Sequence, residues 1–87
     1  MSYEIKYSKR GEKDYNIIKK SPLKNKALKI LETLEINPYG QPVEKLKDNL
    51  QGFYSKRLNI QHRIVYQVRE EEKIVVILSM WTHYENV

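Results

Sequence analysis

Two arginines, Arg57 and Arg63, flank a short polar connection, Asn59-Ile60-Gln61. If the chain turns back about Ile60, the two fall opposite one another on one face of a strand pair. Like charges directly across such a pair repel and lower stability. One reading is therefore that an anion such as a phosphate sits between them. The other is a register displaced by one residue, or side chains splayed into water. A second turn about Glu71 brings Ser79 opposite Arg63 and leaves Trp81 and His83 on the same side by parity. Taken alone, a histidine near the C-terminal end is more often only a solvated surface residue.

Other chemistries are bounded by composition. The chain has no cysteine, so a thiolate metal site and a disulfide framework are both excluded. Its two histidines, His62 and His83, are too far apart in sequence for a short metal-ligand spacing. No metal and no cofactor are expected. Net charge is +5, unevenly distributed. Residues 1–43 carry nine Lys or Arg against five acids, residues 44–69 six against two, and residues 70–87 one against four. A basic stretch of this kind attracts polyanions, nucleic acid foremost, although a solvated lysine-rich surface has the same composition. Seven tyrosines, some beside basic residues, suit base stacking and equally suit the edges of a small core. Met1 to Lys6 contains no apolar run, so neither a leader nor a membrane span is expected, and a cytoplasmic setting fits.

At 87 residues one domain, 1–87, is expected, burying about 60–65% of the unfolded chain's surface. Tyr3, Ile5 and Tyr7 alternate with polar residues as in a short strand. Ser8 is placed to cap a helix reaching about Lys20, with Tyr15 and Ile18 inward and Gly11 as a weak point. Ser21-Pro22 reads as an N-cap followed by a first-turn proline. Leu23, Ala27, Ile30, Leu31 and Leu34 then recur at helical spacing until Asn37-Pro38-Tyr39-Gly40 ends the run. After a polar loop, residues 53–58, 62–69 and 73–81 read as three strands joined by tight connections. The expected fold is α+β in the order β-α-α-β-β-β: a small antiparallel sheet with both helices packed on one face.

One set of blocks is familiar. Glu44-Lys45-Leu46-Lys47, Asn49-Leu50-Gln51-Gly52-Phe53-Tyr54-Ser55-Lys56-Arg57, His62-Arg63-Ile64-Val65-Tyr66 and His83-Tyr84, at these spacings, closely resemble the YoeB (Txe) toxins of the RelE/ParE superfamily. The resemblance covers the chain in length and element order and is sharpest over residues 38–84. It implies an endoribonuclease that cuts messenger RNA at the ribosome and belongs to a type II toxin–antitoxin system. By this resemblance Glu44 is the general base, Arg63 the phosphate and transition-state clamp, and His83 the general acid. Tyr84 positions the substrate, while Lys47 and Arg57 add positive charge around the phosphate. The implied partners are a cognate antitoxin of the YefM/Axe kind, the ribosome with its messenger, and a second copy in a homodimer. Tyr54 and Lys56 stand where Trp and Arg are common in the family, and lysine lacks arginine's bidentate fork, which argues against a phosphate role for Lys56. A non-catalytic ParE-like toxin, or a basic RNA- or ribosome-binding module on the same fold, is the rival reading.

The residue set suits metal-free RNA cleavage, in which the 2′-hydroxyl is the nucleophile. A carboxylate takes its proton, an arginine stabilises the added charge on phosphorus, and a histidine protonates the leaving 5′-oxygen. Free Glu titrates near 4.3 and His near 6.5, so both start in the required state only in a narrow window. Neighbouring cations hold the carboxylate ionised and lower the histidine's pKa.

Overall fold

Ser8 ends the first strand and starts the first helix. The computed structural model describes residues 2–40 and 52–81, and residues 44–45 by their backbone. Strand β1 (Glu4–Tyr7) leads into helix α1 (Lys9–Lys19), whose N-cap Ser8 accepts a hydrogen bond from the Gly11 amide through its hydroxyl. Helix α2 (Lys24–Ile36) follows, then β2 (Glu44–Lys45), β3 (Phe53–Arg57), β4 (Arg63–Arg69) and β5 (Ile74–Ser79).

The strands form one sheet in the order β1-β5-β4-β3-β2. Alternation along β4 and β5 decides its two faces. Ile64, Tyr66 and Val68 with Val75 and Ile77 point to one side, where they close a core with Ile18 of α1 and Ala27, Leu31 and Leu34 of α2. Arg63, Val65 and Gln67 point to the other side and stay half-buried. The α+β class and the placement of both helices on one face are as the sequence predicts.

Four details differ. The sheet is mixed, because β1 runs parallel to β5, with Glu4 opposite Ile74 and Tyr7 opposite Ile77. Two intervening helices carry the chain across the sheet, which permits a parallel return where a hairpin would not. The polar stretch after α2 contributes the edge strand β2. Helix α2 begins at Lys24 rather than directly after Ser21, because a turn precedes it: the Ser21 hydroxyl accepts from the Leu23 amide at 3.1 Å and the Ser21 carbonyl from the Lys24 amide at 3.2 Å. Strand β5 is shorter than the 73–81 expected. Lys73 adopts φ 56° in the turn before it, and beyond Ser79 the Met80 and Trp81 amides donate to Asp14 rather than to a strand.

Gly11 is no weak point. A Cβ there would lie 2.1 Å from the Ile77 carbonyl oxygen, so the glycine lets α1 sit directly on the backbone of β5. With Asp14 and Ile18 it makes up the buried stripe of α1. Among the described residues no helix is long and apolar enough to cross a membrane.

Candidate functional site

The sheet face away from the helices carries the residues singled out for chemistry. Arg57 and Arg63 pair directly across β3 and β4, in the register expected from a turn about Ile60. The neighbouring row on that face runs through the backbone pairs Glu44–Ser55, Ser55–Val65 and Val65–Ser79. Ser79 thus reaches the predicted face, but two residues from its predicted partner. The β4–β5 turn shifts the register by one, and an irregularity between Val65 and Tyr66 shifts it by one more in the same sense. Two one-residue shifts restore the parity.

Arg57 is exposed and Arg63 half-buried. Each already holds an interaction within the protein. The pair places a concentrated positive charge on the sheet face away from the helices. The side chain of Glu44 and all of Lys47, His83 and Tyr84 lie outside the described residues, so the geometry brings together Arg57, Arg63 and the backbone of position 44.

Two framing elements border this face. The turn that leads towards Glu44 is held down on the helix side of the sheet. The Tyr66 hydroxyl donates to the Pro38 carbonyl at 2.6 Å, and the Lys56 ammonium to the Gly40 carbonyl at 2.7 Å. Tyr66 is stacked on Tyr54, which meets Tyr39 edge-on, and Tyr39 donates to Glu70 at 2.6 Å. Lys56 therefore has a structural task on the face opposite the arginines. Its burial lowers its pKa from the ordinary lysine value. The second element is the end of β5. There Asp14, only 5% exposed, accepts from the Met80 and Trp81 amides at 3.0 and 3.2 Å. On the far side the Trp81 ring stacks on buried His62, centroids 3.9 Å apart.

Sequence reasoning missed Asp14 and Ser55. The hydroxyl of Ser55 is fully buried in the Glu44 row and has no hydrogen-bond partner among the described residues. Leaving a buried donor unsatisfied costs about 1–3 kcal/mol. Ser55→Ala is accordingly expected to leave stability unchanged or raise it by up to about that amount, measured by urea denaturation. A clear loss of stability would mean that the hydroxyl is satisfied in solution. No sequence signal marks Ser55, since an isolated serine in a strand reads as an ordinary polar position.

A family model for the YoeB-like toxin of bacterial type II toxin–antitoxin systems matches residues 6–84. Toxin YoeB of Escherichia coli K12 is 36% identical over 64 residues, covering 74% of this chain and 71% of that protein. Toxin YoeB of Synechocystis is 41% identical over 46 residues, which is 53% of this chain and half the length of that relative. The toxin chain of the YoeB–YefM complex from Staphylococcus aureus superposes with a TM-score of 0.77 at 31% identity, covering 97% of this chain and all of that one. With a family match over residues 6–84 and a superposition that covers 97% of its length, this chain belongs to the YoeB-like toxins of bacterial type II toxin–antitoxin systems.

Proposed function

We propose that the protein is a ribosome-dependent messenger endoribonuclease that inhibits translation in the cytoplasm, acting through its RNA substrate's own 2′-hydroxyl without metal or cofactor. The observation that carries this reading is the Arg57–Arg63 row beside the Glu44–Ser55 row, on the sheet face away from the helices. In this scheme the Glu44 carboxylate removes the 2′-hydroxyl proton and the 2′-oxygen attacks phosphorus. The Arg63 guanidinium stabilises the charge that builds on the phosphoryl oxygens, and His83 protonates the departing 5′-oxygen. Lys47, Arg57 and Tyr84 hold the substrate. The products are a 2′,3′-cyclic phosphate and a free 5′-hydroxyl. The family's pairing of toxin with antitoxin supports a cognate antitoxin of the YefM kind as partner, as in the S. aureus YoeB–YefM complex. A solved YoeB dimer from S. aureus, 30% identical with a TM-score of 0.80, supports a homodimer.

The test is chemical. A messenger with a single 2′-deoxy sugar on the 5′ side of the cut should resist cleavage at that position on purified ribosomes, and the unmodified messenger should yield 5′-hydroxyl ends. A non-catalytic toxin or a simple RNA-binding module would cut neither substrate. Rapid cleavage of the deoxy messenger, or products ending in 5′-phosphate, rejects the Glu44/His83 scheme.

A further inference from the structure

An aspartate buried in the middle of a helix needs an explanation. Asp14 is a poor choice for helix propensity, and a carboxylate taken out of water is costly unless it is well bonded. Its bonds go to one place. Oδ2 accepts from the amides of Met80 and Trp81, the last two described residues, with the Arg10 guanidinium 3.6 Å away on its solvent side. The same helix face grips β5 twice more. The Ser8 hydroxyl lies 3.2 Å from both the Ile77 and Leu78 carbonyls, at the register shift, and Gly11 lets the Ile77 carbonyl approach closely. Across the chain from Asp14, the Trp81 indole is stacked on His62 with the rings 19° apart. Trp81 is thus held both by its backbone amide and by its ring. His83 follows it by two residues in the sequence.

We propose that Asp14 is a positioning residue, which with the His62–Trp81 stack fixes the end of β5, the strand from which the chain runs on to His83 and Tyr84. This rests on the nuclease reading of the arginine face. A general acid works only within hydrogen-bond reach of the atom it protonates, and a displacement of about 1 Å can lower a rate about 10²-fold. Two amide bonds to one buried carboxylate restrain position and direction together, which a single apolar contact does not.

The sole tryptophan makes the proposal measurable, because its emission reports the end of β5 directly. Asp14→Ala in the full-length protein is expected to lower kcat for messenger cleavage on ribosomes by about 10–100-fold with KM little changed. It should also alter Trp81 emission and make the indole easier to quench with acrylamide. Asp14→Asn keeps an acceptor oxygen for both amides and should restore cleavage and emission towards the wild type. Leu31→Ala, in the α2 part of the core, supplies the comparison: it should lower Tm while leaving cleavage per folded molecule and Trp81 emission unchanged. If Asp14→Ala does not fold, Asp14→Glu takes its place, keeping the charge but moving the acceptor by one methylene, with the same expected loss of kcat and change in emission.

Wild-type cleavage together with wild-type emission in Asp14→Ala, or in Asp14→Glu where that is used, overturns the proposal. So does an Asp14→Asn variant that falls as far as Asp14→Ala, or a loss matched in full by Leu31→Ala. Failure of the nuclease reading looks different. There His83→Ala cleaves like the wild type, whereas an inactive His83→Ala beside a fully active Asp14→Ala removes only the positioning role.

Discussion

Alanine at Glu44, Arg63 or His83 is expected to lower messenger cleavage by about 10²–10⁴-fold each, in a protein that remains folded. Glu44 and His83 act on the two proton transfers of one displacement, so their losses should not add. A double variant of Glu44 and His83 is expected to fall little below the worse single one. Arg63 is half-buried and Arg57, its cross-strand partner, is exposed. A charge in a drier setting acts more strongly on a developing anion, so Arg57→Ala should cost clearly less than Arg63→Ala. Single-turnover cleavage on purified ribosomes, with circular dichroism as the check on folding, measures all of these. Folded single variants that all cleave at the wild-type rate would remove the assignment. Arg57→Ala falling further than Arg63→Ala would exchange their roles.

Gly11→Ala should be among the most damaging single changes to stability, although alanine is the better helix former. In an exposed helix interior the change would stabilise by roughly 0.5–1 kcal/mol. Here the new methyl would meet the Ile77 carbonyl oxygen at 2.1 Å and its carbon at 2.9 Å, and both belong to backbone that cannot rotate aside. Helix α1 must then lift from β5, loosening the Ser8 and Asp14 bonds that depend on the same approach. Overpacking usually costs about 1–3 kcal/mol and sometimes more, and a clash with backbone belongs at the upper end. Small domains have only about 5–15 kcal/mol in total. Urea or thermal denaturation decides the matter. A Gly11→Ala variant as stable as the wild type would mean that the helix and strand are farther apart in solution.

The sequence showed most clearly what is local. Ser8 as a cap, the apolar stripe from Ala27 to Leu34 and the Arg57–Arg63 register follow from spacing and one short turn. What escaped it depends on distant partners or on small irregularities. The alternation of Tyr3, Ile5 and Tyr7 reveals a strand but not that it runs parallel to β5. A turn with Lys73 at positive φ leaves no signature, because lysine is not a usual residue for that conformation. The shift between Val65 and Tyr66 is equally silent. Asp14 sits between Lys13 and Tyr15 like any solvated charge, and only the end of β5 shows why it is buried. The arginine row could be read from the sequence alone, whereas the roles of Glu44, His83 and Tyr84 came from family resemblance.

The parallel pairing of β1 with β5 also sets the order in which the protein can be completed during synthesis. Glu4 faces Ile74, seventy residues later, and Gly11 and Asp14 wait for Ile77, Met80 and Trp81. A nascent chain leaves the ribosome with β1 and α1 first, so both stay without their strand until residues 74–81 have emerged. Contacts of such long sequence separation also slow folding once the chain is free. The hairpin of β3 and β4 with its arginine row can form earlier, but its frame closes only after residues 74–81 have emerged.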